Sequence, residues 1–203
     1  MPLRDDLLNP VPGENPSGEN LRYAAIYDKI KEARREEDDA PQGEWQHERK
    51  TADYALVIKL AGEALATKSK DLQLAVWLVE ALFKTESFDG LRAGLNLIRG
   101  LIENFWDGLY PEIDEGDLEL RAAPLDWLSS RQDMALRSLP ITKPGTTWYQ
   151  YKEARAVGYE ADAAADPSKQ ESRDAAIADG KITGEEWDQA FKASPKSYYE
   201  VGS

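Results

Sequence analysis

The sequence predicts an all-α protein: a multi-helix bundle of antiparallel helix pairs around one buried central helix. Three observations carry this prediction. The first is the stretch Asp71–Lys84, DLQLAVWLVEALFK, in which only Gln73 and Glu80 break an apolar interior. These two lie seven residues apart and share one narrow helical stripe, so nearly every other side of the helix must be covered. At a rise of ~1.5 Å per residue the segment is about 21 Å long, too short to span a bilayer. A buried strand is the alternative, given Val76, Trp77 and Val79; the length, the Ala and Leu content and the absence of Gly and Pro favour helix. The second observation is the short connection Lys68-Ser69-Lys70, which makes the flanking helices antiparallel neighbours. The third is the series Leu91, Leu95, Ile98, Ile102, Phe105 and Leu109, whose alternating steps of four and three mark a bundle seam.

Composition narrows the class further. The chain has 203 residues, enough for one domain or a domain with an appendage. It contains no cysteine, which removes disulfides and thiolate chemistry. The start, Met-Pro-Leu-Arg-Asp-Asp, has no apolar run, so neither a signal peptide nor a membrane span is expected. Lys and Arg total 25 against 38 Asp and Glu, a net charge of −13 that repels nucleic acid and anionic membrane. Solubility explains this charge most simply; a basic protein partner is the sharper reading.

Taken in order, residues 1–18 read as an extended segment, since Pro2, Pro10, Pro12 and Pro16 block helix. Ser17 is a candidate N-cap for a first helix over about Glu19–Glu37, with Tyr23, Ile26, Tyr27 and Ile30 as its apolar face. Ala40-Pro41-Gln42-Gly43 breaks it, and residues 38–50 are expected to form a mobile loop with Trp45 as anchor. A second helix spans about Thr51–Thr67. Lys68 and Lys70 suit the dipole at its end, and Asp71 suits the start of the central helix. Ser87-Phe88-Asp89-Gly90 stops the central helix, and the next runs to about Leu109, with Gly94 and Gly100 permitting close approach of a neighbour. Pro111 ends it, and five acids follow without a base between Glu112 and Glu119. A further helix is expected over Leu118–Arg137, with Pro124 in its first turn or splitting it.

The texture changes after Thr146. Short helices are expected over Ser168–Asp179 and Gly184–Ala193, the second opened by a Thr183/Glu186 capping box. The organisation read from this is a helical domain over 1–160 and a short helical extension over 161–203, leading to a C-terminal region absent from this chain.

Catalytic signals are weak. His47, the only histidine, sits in a charged loop beside Glu44 and Glu48, a poor scaffold for a held imidazole. Glu112, Asp114, Glu115 and Asp117 are oxygen donors of the type Ca²⁺ and Mg²⁺ take, yet loop acids without metal-loop spacing are usually solvated. Around Gly180 an EF-hand register puts Ala175 and Ile177 at positions 1 and 3, which defeats it. Phosphate-loop, dinucleotide and HExxH motifs are absent from the sequence. No metal or cofactor is therefore expected. Trp45, Trp148, Tyr198 and Tyr199 lie outside strong stripes and are contact candidates, since aromatics anchor interfaces.

Several pieces in order resemble a known family. They are Pro16-Ser17-Gly18-Glu19-Asn20-Leu21-Arg22-Tyr23, then Ser69-Lys70-Asp71-Leu72 opening the central helix, in which Trp77 lies. Gly90-Leu91 and Gly94-Leu95 follow, then Trp106-Asp107 with Leu109 and Pro111, and finally Arg121 and Leu125. Together, over residues 8–130, they resemble the N-terminal domain of the TssA (ImpA) proteins of bacterial type VI secretion systems. Asn20 stands where the family pattern has an acid, and Tyr54 where it has Trp. The resemblance implies a non-enzymatic, cytoplasmic assembly protein that docks to baseplate and tail tube and sheath proteins, with self-association through its missing C-terminal region. It implies no nucleic acid and no membrane insertion. Its contact residues do not carry over from any motif; the acidic loop Glu112, Asp114, Glu115 and Asp117, with Trp45 and Trp148, is the expected contact region. A generic helical scaffold, or an enzyme using Glu80 with the loop acids, are the alternatives.

Overall fold

A computed structural model describes residues 3–36 and 50–196. The expected loop over 38–50, with Trp45 and His47, lies outside the described residues apart from Lys50, as do Tyr198 and Tyr199. Among the described residues the structure is all-α, with isolated bridges and no strand. The chain divides into two compact units, Met1–Ser130 and Arg131–Ser203. The acidic charge is concentrated in the first, where 26 acids face 15 bases, against 12 and 10 in the second.

The first unit is built on α1 (Ala25–Arg34), α2 (Tyr54–Thr67), α3 (Leu72–Phe105) and the opening turns of α4 (Glu119–Arg137). Helix α3 is two arms. Ser87, at φ 55° and ψ −133°, reverses the chain between them. The arms lie antiparallel and close: a Cβ on Gly94 would stand 2.6 Å from Val79, and one on Gly90 2.2 Å from the Leu82 carbonyl oxygen. In the first arm every residue from Leu72 to Phe83 is buried except Gln73 and Glu80, as the sequence predicts for a central helix. Of the seam expected for the second arm, Ile98, Phe105 and Leu109 are buried, whereas Leu95 is 47% exposed; Gly90, Gly94, Leu97 and Leu101 also face inward. The glycines decide this register, because only that face lets the arms approach so closely. Ser87 occupies a backbone region that favours glycine, so Ser87→Gly is expected to raise stability by about 1 kcal/mol. Urea melts showing a loss would contradict the strain.

Helix α1 is shorter than expected. It starts at Ala25, and Tyr27, Ile30 and Ala33 form its buried face. Ser17 is not its cap. The Ser17 carbonyl accepts from Lys70 N–H (2.8 Å), and Glu19 N–H donates to the Lys68 carbonyl (2.9 Å). On its other side this connection binds Tyr110: Tyr110 N–H donates to Lys70 (2.9 Å), and Leu72 N–H to Tyr110 (2.8 Å). Gly18 is required here, with φ +75° and a would-be Cβ 1.9 Å from the Lys68 carbonyl oxygen.

Lys70 is wholly enclosed, 0% exposed. Its ammonium donates to the carbonyls of Leu7 (2.8 Å) and Leu65 (2.7 Å) and lies over the Phe105 ring (5.2 Å). Burial pushes it down to about 8, against a smaller upward pull from Asp6. In the unfolded chain a lysine titrates near ~10.4. Below about 8 both states hold the proton and folding bears the full cost of burying the charge. Between the two values the unfolded chain keeps the proton and the folded one releases it, so this residue's contribution to stability rises with pH. Comparing urea melts of the wild type and Lys70→Met from pH 8 to ~10.4 should show that rise only in the wild type; parallel curves would refute it.

The second unit contains α5 (Trp148–Val157), α6 (Glu160–Ala163), α7 (Pro167–Ala178) and α8 (Gly184–Lys192). Helix α8 opens with the predicted capping box: Thr183 Oγ1 accepts from Glu186 N–H (3.2 Å), and Glu186 accepts from Thr183 N–H (2.8 Å). Helices α5 and α8 pack through Tyr151 and Trp187, with ring centroids 4.7 Å apart. Helix α5 is opened by a second box, Thr147 with Gln150. The boundary after residue 160 falls within the first turn of α6, whereas the compact units part between Ser130 and Arg131, within α4.

Candidate functional site

The main-chain ladder through residues 17–19, 68–72 and 110 brings three distant stretches to one end of the first unit. Asp71 is the N-cap of α3: Oδ1 accepts from Gln73 N–H (2.7 Å) and Leu74 N–H (3.2 Å), and Oδ2 accepts from the Tyr27 hydroxyl. Burial raises the Asp71 carboxyl above its usual range against these hydrogen bonds, and raises the Tyr27 phenol, with Asp71 adding to the effect. The pair fastens α1 to the start of α3.

The chain after α3 is held by Arg121, which is buried. Its guanidinium donates to the carbonyls of Trp106 (2.6 Å), Leu109 (2.5 Å) and Pro111 (2.8 Å) and lies 4.7 Å from the Trp106 ring centroid. Trp106 itself is 41% exposed. The anchor of the stretch from Trp106 to Pro111 is thus the arginine, and the tryptophan covers it from outside. The effect of Trp106→Ala on stability should accordingly be smaller than that of an enclosed tryptophan.

Between these supports lies a groove of about 690 Å³. Asn20, Arg22, Tyr23, Tyr27, Asp28 and Lys31 line it from the N-terminal turn and α1. Asp71, Gln73 and Trp77 line it from α3, and Pro111, Glu112, Ile113, Asp114, Leu120, Ala123 and Pro124 from the loop and α4. Tyr23 is not on an apolar helix face as expected; it is 92% exposed, with Arg22 5.8 Å from its ring centroid. It precedes α1, so the helical spacing that groups it with Tyr27 does not apply. Leu21, by contrast, is buried. Leu120, on α4, is also exposed.

The acidic loop is divided. Glu112 and Asp114 line the groove. Glu115 has φ 48° in a tight turn closed by Asp117 N–H on the Asp114 carbonyl (2.7 Å), and Asp117 accepts from Glu119 N–H (2.8 Å). Trp148 belongs to the second unit, where Arg137 (4.6 Å) and Lys152 (5.7 Å) lie over its ring. Glu80, the candidate acid of the enzymatic alternative, pairs with Arg34 at 2.5 Å. Arg34 also lies over Trp77 (5.2 Å) and Trp127 (4.8 Å), joining α1, α3 and α4. That pairing accounts for one of the two polar residues on the central helix. Among the described residues no helix is long and apolar enough to cross a membrane, and no three metal-ligating side chains gather.

Sequence reasoning missed the groove residues Asp28, Lys31, Ile113 and Leu120 as a set. The usable signal was Gln73, a polar residue on an otherwise covered helix that needed a reason.

The fold and this end of it define a helical unit in which distant sequence pieces serve one shared architecture. Residues 8–130, more than half of the chain, match the family described as ImpA, N-terminal, type VI secretion system, and the chain belongs to that family. It is 32% identical over 111 residues to the type VI secretion system component TssA1 of Pseudomonas aeruginosa, a match covering 55% of this chain and 32% of that protein. The chain thus spans about a third of the length of this curated relative. It is also similar to a solved structure of the N-terminal domain, including the conserved ImpA_N region, of the TssA component from Burkholderia cenocepacia. There the TM-score is 0.70 at 33% identity, covering 98% of this chain and 74% of the other.

Proposed function

We infer that this chain is a docking component of a type VI secretion system, one that holds baseplate and tail tube or sheath proteins during tail assembly and turns over nothing. It acts in the cytoplasm, needs no cofactor, and in the full-length protein self-associates through a further C-terminal region. The observation that carries the docking role is the groove. Pieces of the family pattern from three stretches, Arg22 and Tyr23, Asp71 and Trp77, and Pro111, line one open surface beside acids, Glu112 and Asp114, that form no ion pair among the described residues. Side chains spent on stability alone would be enclosed, and Tyr23 is not.

The concentration of acid in residues 1–130 suits a basic partner surface, which such charge would steer during encounter. Replacing Glu112, Asp114 and Glu115 by Lys, with Asp117 kept because it accepts from Glu119 N–H at the start of α4, should slow association about tenfold at low salt and less at high salt, leaving the fold intact. The test is surface plasmon resonance against each purified baseplate and tail protein at two salt concentrations. An unchanged association rate at low salt would remove this loop from the contact.

A further inference from the structure

Residues 3–8 pack on the first unit as a separate piece, ahead of the main-chain ladder that begins at residue 17. Their turn is closed within itself: Asn9 N–H donates to the Asp6 carbonyl (3.1 Å), and Arg4 pairs with Asp6 (2.6 Å). Among the described residues one hydrogen bond joins this piece to the helical body, from the Lys70 ammonium to the Leu7 carbonyl. The remaining anchors are apolar. Leu7 is buried, Leu3 packs against the same core, and Leu8 lies on α3, where a Cβ on Gly100 would stand 2.6 Å from Leu8 Cδ1. The fit is incomplete: a pocket of about 220 Å³ is lined by Leu3, Arg4 and Leu7 from the segment and by Ile58, Gly62 and Leu78 from α2 and α3. After the segment, Asn9 and Pro10 are exposed, and Val11 is buried with its N–H on the Pro16 carbonyl (2.8 Å). Val11 is therefore the first fixed point, and Asn9-Pro10 the pivot.

The one polar bond falls on a buried charge. Lys70 forms no ion pair among the described residues; Asp6 acts on it only from a distance. Closing the segment over the ammonium takes it out of water, and two carbonyls and a ring return only part of the lost solvation. Lifting the segment opens one side of the ammonium to water again. The closed position thus carries a cost that opening relieves. The ladder through residues 17–19, 68–72 and 110 carries no such cost, because its bonds join neutral main-chain groups.

We propose that residues 3–8 form a strap that opens on its own about Asn9 and Pro10 while the rest of the first unit stays folded. Closed, the strap shuts Lys70 and an apolar seat that includes Ile58 and Leu78 away from any partner; open, it presents both. The strap is independent of the docking reading, since its pocket and the groove beside Asp71 share no lining residue.

The unaltered chain reports on the strap, because Lys70 is 0% exposed and its amine reacts only when uncovered. N-hydroxysuccinimidyl acetate is added to the whole 203-residue chain, and acetylation of each lysine is followed by mass spectrometry at urea concentrations below the melt. Lys70 is expected to react far more slowly than the exposed Lys59, yet at a rate that low urea leaves unchanged, since lifting so short a segment uncovers little surface. Leu7→Ala should raise that rate about tenfold or more by removing the main anchor. Gly100→Val should raise it too, by pushing Leu8 off α3. Neither variant should make the rate steeper in urea. Acetylation of Lys70 that climbs with urea along the slope of global unfolding, in the wild type and in both variants, would overturn the strap. So would a rate that Leu7→Ala leaves unchanged.

Discussion

Trp77→Ala is expected to cost the first unit about 3–5 kcal/mol, the range for truncating an enclosed tryptophan. The ring is 5% exposed and sits on the first arm of α3, where few side chains have room to move into a cavity. Its loss acts at two contacts together. Tyr27 meets it edge-on at 5.0 Å, and Tyr27 in turn donates to Asp71, the cap of α3. Arg34 lies 5.2 Å from its centroid while paired with Glu80, so truncation also admits water to a half-buried ion pair. The neighbouring Trp127 stays in contact with Arg34 and cannot reach the vacated volume without leaving α4. Trp77→Phe keeps an aromatic edge for Tyr27 and should cost less than half as much. Denaturant melts followed by circular dichroism measure both variants, and an alanine variant within 1 kcal/mol of wild type would show that the ring is not central.

How far such features could be read from the sequence depended on how local their causes are. The central helix was legible because burial on all sides leaves a composition without polar positions, and both exceptions have now been located, Glu80 on Arg34 and Gln73 in the groove. The capping of α8 was legible because Thr183 and Glu186 are three residues apart. The same logic applied to Thr147 and Gln150 would have found α5, which was missed through attention to the aromatic residues instead. The seam of the second α3 arm was legible in part: Ile98 and Phe105 are buried as their spacing predicts, but Leu95 is exposed, and Gly90 and Gly94 mark the inward face where the arms are closer than leucine packing allows. The start of α1 was placed too early because the main-chain bonds of residues 17–19 to 68–70 leave no pattern in side chains. The groove was illegible for a related reason: its walls are about 90 residues apart in the chain, and what unites them is that backbone ladder.

Arg121→Met is expected to cost more than about 3 kcal/mol, although it removes no apolar contact. The guanidinium satisfies three main-chain acceptors, those of Trp106, Leu109 and Pro111, where α3 ends and the chain turns toward α4. Helix ends leave such carbonyls without intrahelical partners, and burying one unsatisfied costs roughly 1–3 kcal/mol. Burial holds the Arg121 proton affinity below its usual value, with Asp107 opposing, so the charge is already held at some cost that the three bonds must offset. Methionine fills the stem volume but donates nothing. Arg121→Lys should also fail to rescue fully, because an ammonium cannot present the planar fork that reaches three carbonyls at 2.5–2.8 Å. The damage should be local first. With Pro111 released, the peptide bonds after Glu112 and Glu115 should be cut faster by a glutamate-specific protease, under conditions where circular dichroism still reports full helix. Equal cleavage rates and a melt within 1 kcal/mol of wild type would mean that the segment from Trp106 to Pro111 is held by its own packing and not by the arginine.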